Sequence, residues 1–187
     1  MSILARKLKG DTLIEVLFAF VILSAVISVA FGGAMSSYRS ALTAQNRSQA
    51  LFLAQYQADA LKTYRDSLDW DNGGQNVSFL NGNTTTLGNT NITAVKNADG
   101  TYLSNFCMDN VVRSTAQAPL YWKIVTNQNE CNNLAKSLAS NLNSPSIKIS
   151  LSSSAPDRVL AKIVVSYNAA NNSSVVEQVT NSIILIK

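Results

Sequence analysis

The pattern of apolar and polar positions divides the chain into two unlike parts. Residues 16–38 form a run of 23 residues without a formal charge, VLFAFVILSAVISVAFGGAMSSY, apolar on every side of a helix. As a helix it spans roughly 34 Å, enough to cross a hydrocarbon layer of about 30 Å. The following residues keep strong helix formers, and Leu51, Ala54, Ala58 and Leu61 recur at three- and four-residue spacing. Arg47, Asp59, Lys62 and Asp66 fall where water can reach them. One nearly continuous helix is therefore expected over residues 12–68, apolar all round in its first half and amphipathic in its second. The second half requires a packing partner. Gly32 and Gly33 are its soft point, each costing about 1 kcal/mol of helix propensity relative to alanine.

Further along, the period changes from that of a helix to that of a strand. Val159, Ala161, Ile163, Val165 and Tyr167 alternate with a mixed opposite face, and residues 121–126, 146–151 and 175–186 also read as strands. The turn from Asn168 to Ser173 joins the last two as an antiparallel hairpin, and a short helix is expected over residues 132–142, with Leu134, Leu138 and Leu142 in line. The predicted fold class is α+β, a long N-terminal helix on a C-terminal antiparallel sheet.

Composition sharpens the boundary near residue 70. Asn46 is the one asparagine before it and nineteen follow it. Residues 69–118 are rich in turn signals, including Asn81-Gly82 as a hairpin turn. Asp69-Trp70-Asp71-Asn72-Gly73-Gly74 resembles the start of a calcium loop, but Leu80 stands at the twelfth position where such a loop needs a bidentate glutamate. A helix-terminating turn is the expected reading, and no metal or cofactor is expected.

The chain has no histidine and two cysteines, which removes His-ligated zinc, Ser-His-Asp and Cys-His chemistry, and carboxylates after residue 71 show no paired spacing. An enzyme is not expected. Of the net charge of +4, Arg6, Lys7 and Lys9 supply +3, so the remainder carries 12 basic and 11 acidic groups and offers no basic face for nucleic acid. The same three cations precede the apolar run, which places residues 1–9 in the cytoplasm and everything after about residue 40 outside.

At the mouth of the apolar run stands Lys9-Gly10-Asp11-Thr12-Leu13-Ile14-Glu15-Val16-Leu17. This resembles the processing segment of type IV prepilins and type II secretion pseudopilins, usually Gly followed by Phe-Thr-Leu-Ile-Glu. The likeness is close over residues 6–35 and looser over the amphipathic extension. It implies a pilin-like fold and a basic leader, residues 1–10, cut after Gly10 by a membrane prepilin peptidase. It further implies methylation of the new terminus at Asp11, an inner-membrane assembly platform, and other pilins or pseudopilins as partners in a filament. Residues 11–38 would then be the membrane and filament-core helix, 39–68 its amphipathic extension, and 69–187 an extracytoplasmic β-rich domain. The sequence departs from the family at Asp11, where a large apolar residue is usual; that departure suits a minor subunit better than the main building block.

Glu15 has a physical reason of its own, because a carboxylate at a hydrocarbon boundary is costly without a cation. In a stacked filament the free amine at Asp11 of a neighbour would supply it. The alternative is a capping box in which Thr12 and Glu15 satisfy amides at the helix start. Ser24, Ser28 and Gly32, four residues apart, form a small-residue stripe suited to close helix packing. Ser28-Val29-Ala30 also fits a signal-peptide site cut after Ala30, which the position of Glu15 and the length of the apolar run oppose. Cys107 and Cys131, 24 positions apart on the side predicted to be outside, are expected to form a disulfide; two buried free thiols are the alternative. The functional expectation is a structural filament subunit, first a single-span inner-membrane precursor held by lipid and later part of a cell-surface polymer. The rival is a membrane-anchored or filament-tip adhesin using the Asn/Ser/Thr-rich outer domain.

Overall fold

The computed structural model describes residues 11–67, 79, 85–87, 90–92, 95–96, 99–111, 121–155, 157–169 and 172–186. The chain is α+β: a 56-residue helix α1 (Asp11–Asp66), a small hairpin of β1 (Thr85–Leu87) and β2 (Thr90–Ile92), and a five-stranded antiparallel sheet. The sheet comprises β3 (Ser104–Val111), β4 (Tyr121–Val125), β5 (Asn143–Ala155), β6 (Arg158–Ala169) and β7 (Asn172–Ile186), in the order β4-β3-β5-β6-β7. A second helix α2 (Gln128–Leu138) lies between β4 and β5 in the chain. Two compact units divide the chain, Met1–Leu42 and Thr43–Lys187, and the boundary falls inside α1.

In the first unit the helix has no core to join. Every described side chain from residue 13 to residue 41 is exposed. In the second unit the remaining turns of α1 present Ala50, Leu53, Ala54, Ala58, Leu61 and Tyr64 to the sheet, all at most 3% exposed. Leu51, expected on this stripe, is 42% exposed. At about 100° per residue it lies a full step round the helix from Ala50, and the stripe centres on Ala50, Ala54, Gln57 and Leu61 instead.

The sheet answers with the alternation read from the sequence. Ile147, Ile149 and Leu151 of β5, Val159, Ala161, Ile163, Val165 and Tyr167 of β6, and Val179 and Leu185 of β7 are buried, with Ile183 half-buried on the same face, and the alternate residues face outward. The β6–β7 ladder runs from Arg158↔Ile186 to Ala169↔Asn172, as a hairpin requires. Pro145 sits in β5 where the register shifts between Asn143 and Ser146, beside Ser144 at φ 49°, a bulge being where a strand accommodates proline.

Besides the short strands β1 and β2, for which no bounds were expected, two larger elements differ from expectation. The short helix begins four residues earlier, because Asn127 caps it: its Oδ1 accepts from Asn129 N at 3.0 Å, and its Nδ2 donates to Glu130 Oε1 at 3.3 Å. Its buried face is Cys131 and Ala135, with Leu134 half-buried and Leu138 exposed. The inner strand β3, second in the sheet order, was not expected, because Phe106, Cys107 and Met108 are buried in succession and erase the two-residue period. Asn105, at φ 59°, opens the register shift just before them. The Asn81-Gly82 turn and the calcium-like loop at residues 69–74 lie outside the described residues.

Candidate functional site: an uncovered apolar helix and the core that secures its extension

Between Leu13 and Met35, fourteen large apolar side chains are 49–78% exposed. Keeping that surface in water would cost on the order of 20 kcal/mol at 25 cal/mol per Å², more than the usual net stability of a whole domain. The segment therefore requires a nonaqueous neighbour, lipid or protein. Among the described residues α1 is the one helix long and apolar enough to cross a membrane, by length and composition.

Its polar side chains are arranged to suit such a neighbour. Ser24 Oγ donates to Val21 O at 2.9 Å and Ser28 Oγ donates to Ser24 O at 2.8 Å, so each hydroxyl is satisfied by its own helix. A Cβ placed on Gly32 or Gly33 would meet nothing within 4 Å. Ser24, Ser28 and Gly32 thus make a low ridge on one side of an exposed helix, with no group left requiring a partner. Glu15 is exposed in the second turn of α1. Gly10, and the side chains of Asp11 and Thr12, lie outside the described residues.

The amphipathic half is fixed to the sheet by a polar device that the apolar pattern of α1 does not show. The β3–β5 pairing holds at Ser104↔Ser150 and Phe106↔Ile149, and beyond it the strands part. Gln57, fully buried on α1, then takes the place of a strand: Met108 N donates to Gln57 Oε1 at 2.7 Å, and Gln57 Nε2 donates to Met108 O at 3.0 Å. On the other side of the opening Gln128 Nε2 of α2 donates to Ile147 O at 3.1 Å. The signal was a glutamine at a position where the spacing from Leu53 to Leu61 calls for an apolar residue.

Cys107 of β3 and Cys131 of α2 are bonded to each other, both fully buried, with Cα atoms 5.7 Å apart. Further pins hold the rest. Arg65 Nη1 donates to Ile186 O at 2.7 Å, tying the end of α1 to the end of β7. Tyr56 meets Trp122 edge-on at 5.4 Å, and burial, with the nearby Asp109 charge, raises its phenol pKa. Tyr167 OH donates to Glu177 Oε2 at 2.8 Å. Burial first, then that bond and the carboxylate charge, push the Tyr167 pKa up to about 12.

A shallow pocket of about 430 Å³ lies against α1 and the end of α2, lined by Ser48, Gln49, Phe52, Leu138, Ala139, Ser140 and Asn141. Its lining has no acid, base or thiol. Among the described residues no three His, Cys, Asp or Glu side chains gather as metal ligands.

A long apolar N-terminal helix whose amphipathic extension packs on an antiparallel sheet is an arrangement compatible with pilin-like architecture. A scan against family models, a search of curated proteins and a search of solved structures each returned no match to this chain.

Proposed function

We propose that this chain is a structural subunit, a minor pilin or pseudopilin, of a type IV pilus or type II secretion-like filament. It enters the inner membrane as a single-span precursor with its basic leader in the cytoplasm and is cut after Gly10 by a prepilin peptidase. It then exchanges lipid for the helices of other subunits on an assembly platform. It performs no catalysis of its own.

The observation that carries this reading is the exposure of every described side chain from residue 13 to residue 41, fourteen of them large and apolar between Leu13 and Met35, in a helix whose later turns are secured to a sheet. A simple anchor needs the first feature but not the second, whereas a subunit that transmits a position from core to surface needs both. The resemblance over Gly10 to Glu15 supplies the processing step, and Glu15 would meet the amine of a neighbour in a medium that penalises a lone carboxylate.

The test is the mature N-terminus of the chain from cells, with sedimentation of the polymer fraction for the wild type and Glu15→Ala. Asp11 as first residue, with Glu15→Ala reduced at least tenfold in polymers, is expected. A chain that still begins with Met1, or one that enters no polymer, overturns the proposal. Normal incorporation of Glu15→Ala overturns the pairing alone.

A further inference from the structure

The pocket of about 430 Å³ against α1 and the end of α2 stands on fixed backbone. Ser48 and Phe52 lie one helical turn apart on α1 with Gln49 beside them, off the buried stripe of Ala50, Ala54 and Gln57. Another wall is the turn that follows α2. There Ala139 N donates to Ala135 O at 2.9 Å and Leu142 N donates to Ala139 O at 3.0 Å. Ala139 and Leu142 are buried, so Ser140 and Asn141 are held outward between two anchored residues.

The chemistry of these walls limits what can enter. They are uncharged, so a carboxylate, a phosphate or an amine finds no counter-ion among them. They carry two amides and two hydroxyls, side chains that both donate and accept. They also hold Phe52, which at 60% is the most exposed large apolar side chain described in the second unit, together with Leu138 at 37%. Apolar side chains left exposed together mark a contact surface. Gln49 adds an independent sign. Its Oε1 is shielded from water and has no hydrogen-bond partner, a state in which folded chains seldom leave a polar atom.

We infer that this pocket binds a neutral sugar. A pyranose ring has a face of C–H groups, which lies on Phe52 and Leu138, the aromatic face being the negative one. Its hydroxyls, each a donor and an acceptor, meet Ser48, Ser140 and Asn141, and the Gln49 amide turns to accept one hydroxyl proton at Oε1. A wholly apolar ligand would leave those amides and hydroxyls unpaired. An extended peptide is read by a sheet edge or a long groove, and these walls offer neither. The volume falls within the range of small-ligand sites, about 300–1,000 Å³, and admits a mono- or disaccharide. The inference goes beyond the filament reading and does not depend on it.

The experiment is saturation-transfer NMR on the full chain in a zwitterionic detergent without a sugar headgroup. The probes are the methyl pyranosides of glucose, galactose, mannose and N-acetylglucosamine, with the matching trisaccharides to tell a free sugar from a glycan chain. Glucuronate and glucosamine are the charged counterparts. Transfer to at least one neutral probe is expected, reduced at least tenfold by Phe52→Ala and by Gln49→Leu and retained by Phe52→Tyr, which keeps the aromatic platform. Phe52 is exposed, so Phe52→Ala should leave urea unfolding unchanged, which separates lost binding from lost fold. No transfer to any neutral probe, equal transfer to a charged counterpart, or transfer indifferent to Phe52→Ala overturns the inference. So does a Phe52→Ala chain that drops out of the polymer fraction, because the pocket then belongs to another polypeptide. Sugar binding by a wild-type chain that enters no polymer refutes the filament reading alone.

Discussion

Replacing Gln57 tests the account of how α1 is held. Its amide closes two hydrogen bonds on Met108, at 2.7 and 3.0 Å, in a place fully shielded from water. Gln57→Leu keeps the approximate volume and removes both, leaving the Met108 N–H and C=O buried and unpaired. Each orphaned group costs about 1–3 kcal/mol, partly offset by the transfer gain of leucine, so a loss of about 2–4 kcal/mol is expected. Gln57→Glu adds a pH signature. A protonated carboxyl can reproduce both bonds, its O–H donating to Met108 O and its C=O accepting from Met108 N, whereas a carboxylate cannot donate. Burial raises the folded pKa of this glutamate above its unfolded value of about 4.3. Its contribution is therefore present below about pH 4 and is lost as pH rises through the folded value. The assay is urea unfolding of the full chain in mild detergent, disulfide intact, followed by tryptophan fluorescence. A Leu variant within about 0.5 kcal/mol of the wild type, or a Glu variant with a flat pH profile, refutes the reasoning.

Other consequences are open to measurement. Opening the Cys107–Cys131 bond by the double substitution to serine should cost about 3.5 kcal/mol on chain-entropy grounds, read as a lower urea midpoint; because both sulfurs are fully buried, reductant should act only on unfolded chain, giving a reduction rate that tracks urea. The Tyr167 phenol is raised to about 12, so its stabilising contribution is complete below the unfolded value of about 10 and is lost as pH climbs towards 12; Tyr167→Phe should flatten the stability profile in that window. Leu61→Ala, in the fully buried stripe of α1, should cost about 2–5 kcal/mol in the same assay, whereas Leu51→Ala should change it by under about 1 kcal/mol.

The long helix and the last three strands were legible because their burial has one period each. Residues 16–38 need no period, being without a formal charge and apolar on every side of the helix, and the odd positions of β6 alternate without interruption. What escaped was built from interrupted periods. β3 buries three residues in succession because the disulfide to α2 adds a second cover, and no local pattern announces a strand shielded on both sides. Leu51 was misplaced because a stripe read from four apolar residues can be rotated by one position without losing any of its spacings, and Gln57, the residue that fixes the rotation, is polar. The helix cap at Asn127 with Glu130 is a local signature in the sequence, but the leucines at 134, 138 and 142 set a stronger period that points to a later start. The leader cut and the Glu15 pairing concern events between molecules, and a single chain carries their motif but not their outcome.

The bond between Cys107 and Cys131 closes a covalent ring that carries β4 and reaches from the middle of β3 into the first turns of α2. A protease that cuts anywhere inside this ring produces two fragments still tied through sulfur, each contributing strands to the same sheet. For a domain that meets digestive enzymes, such a nick is a scar and not a break: the particle keeps its mass under non-reducing conditions and separates into two bands only when thiol is added.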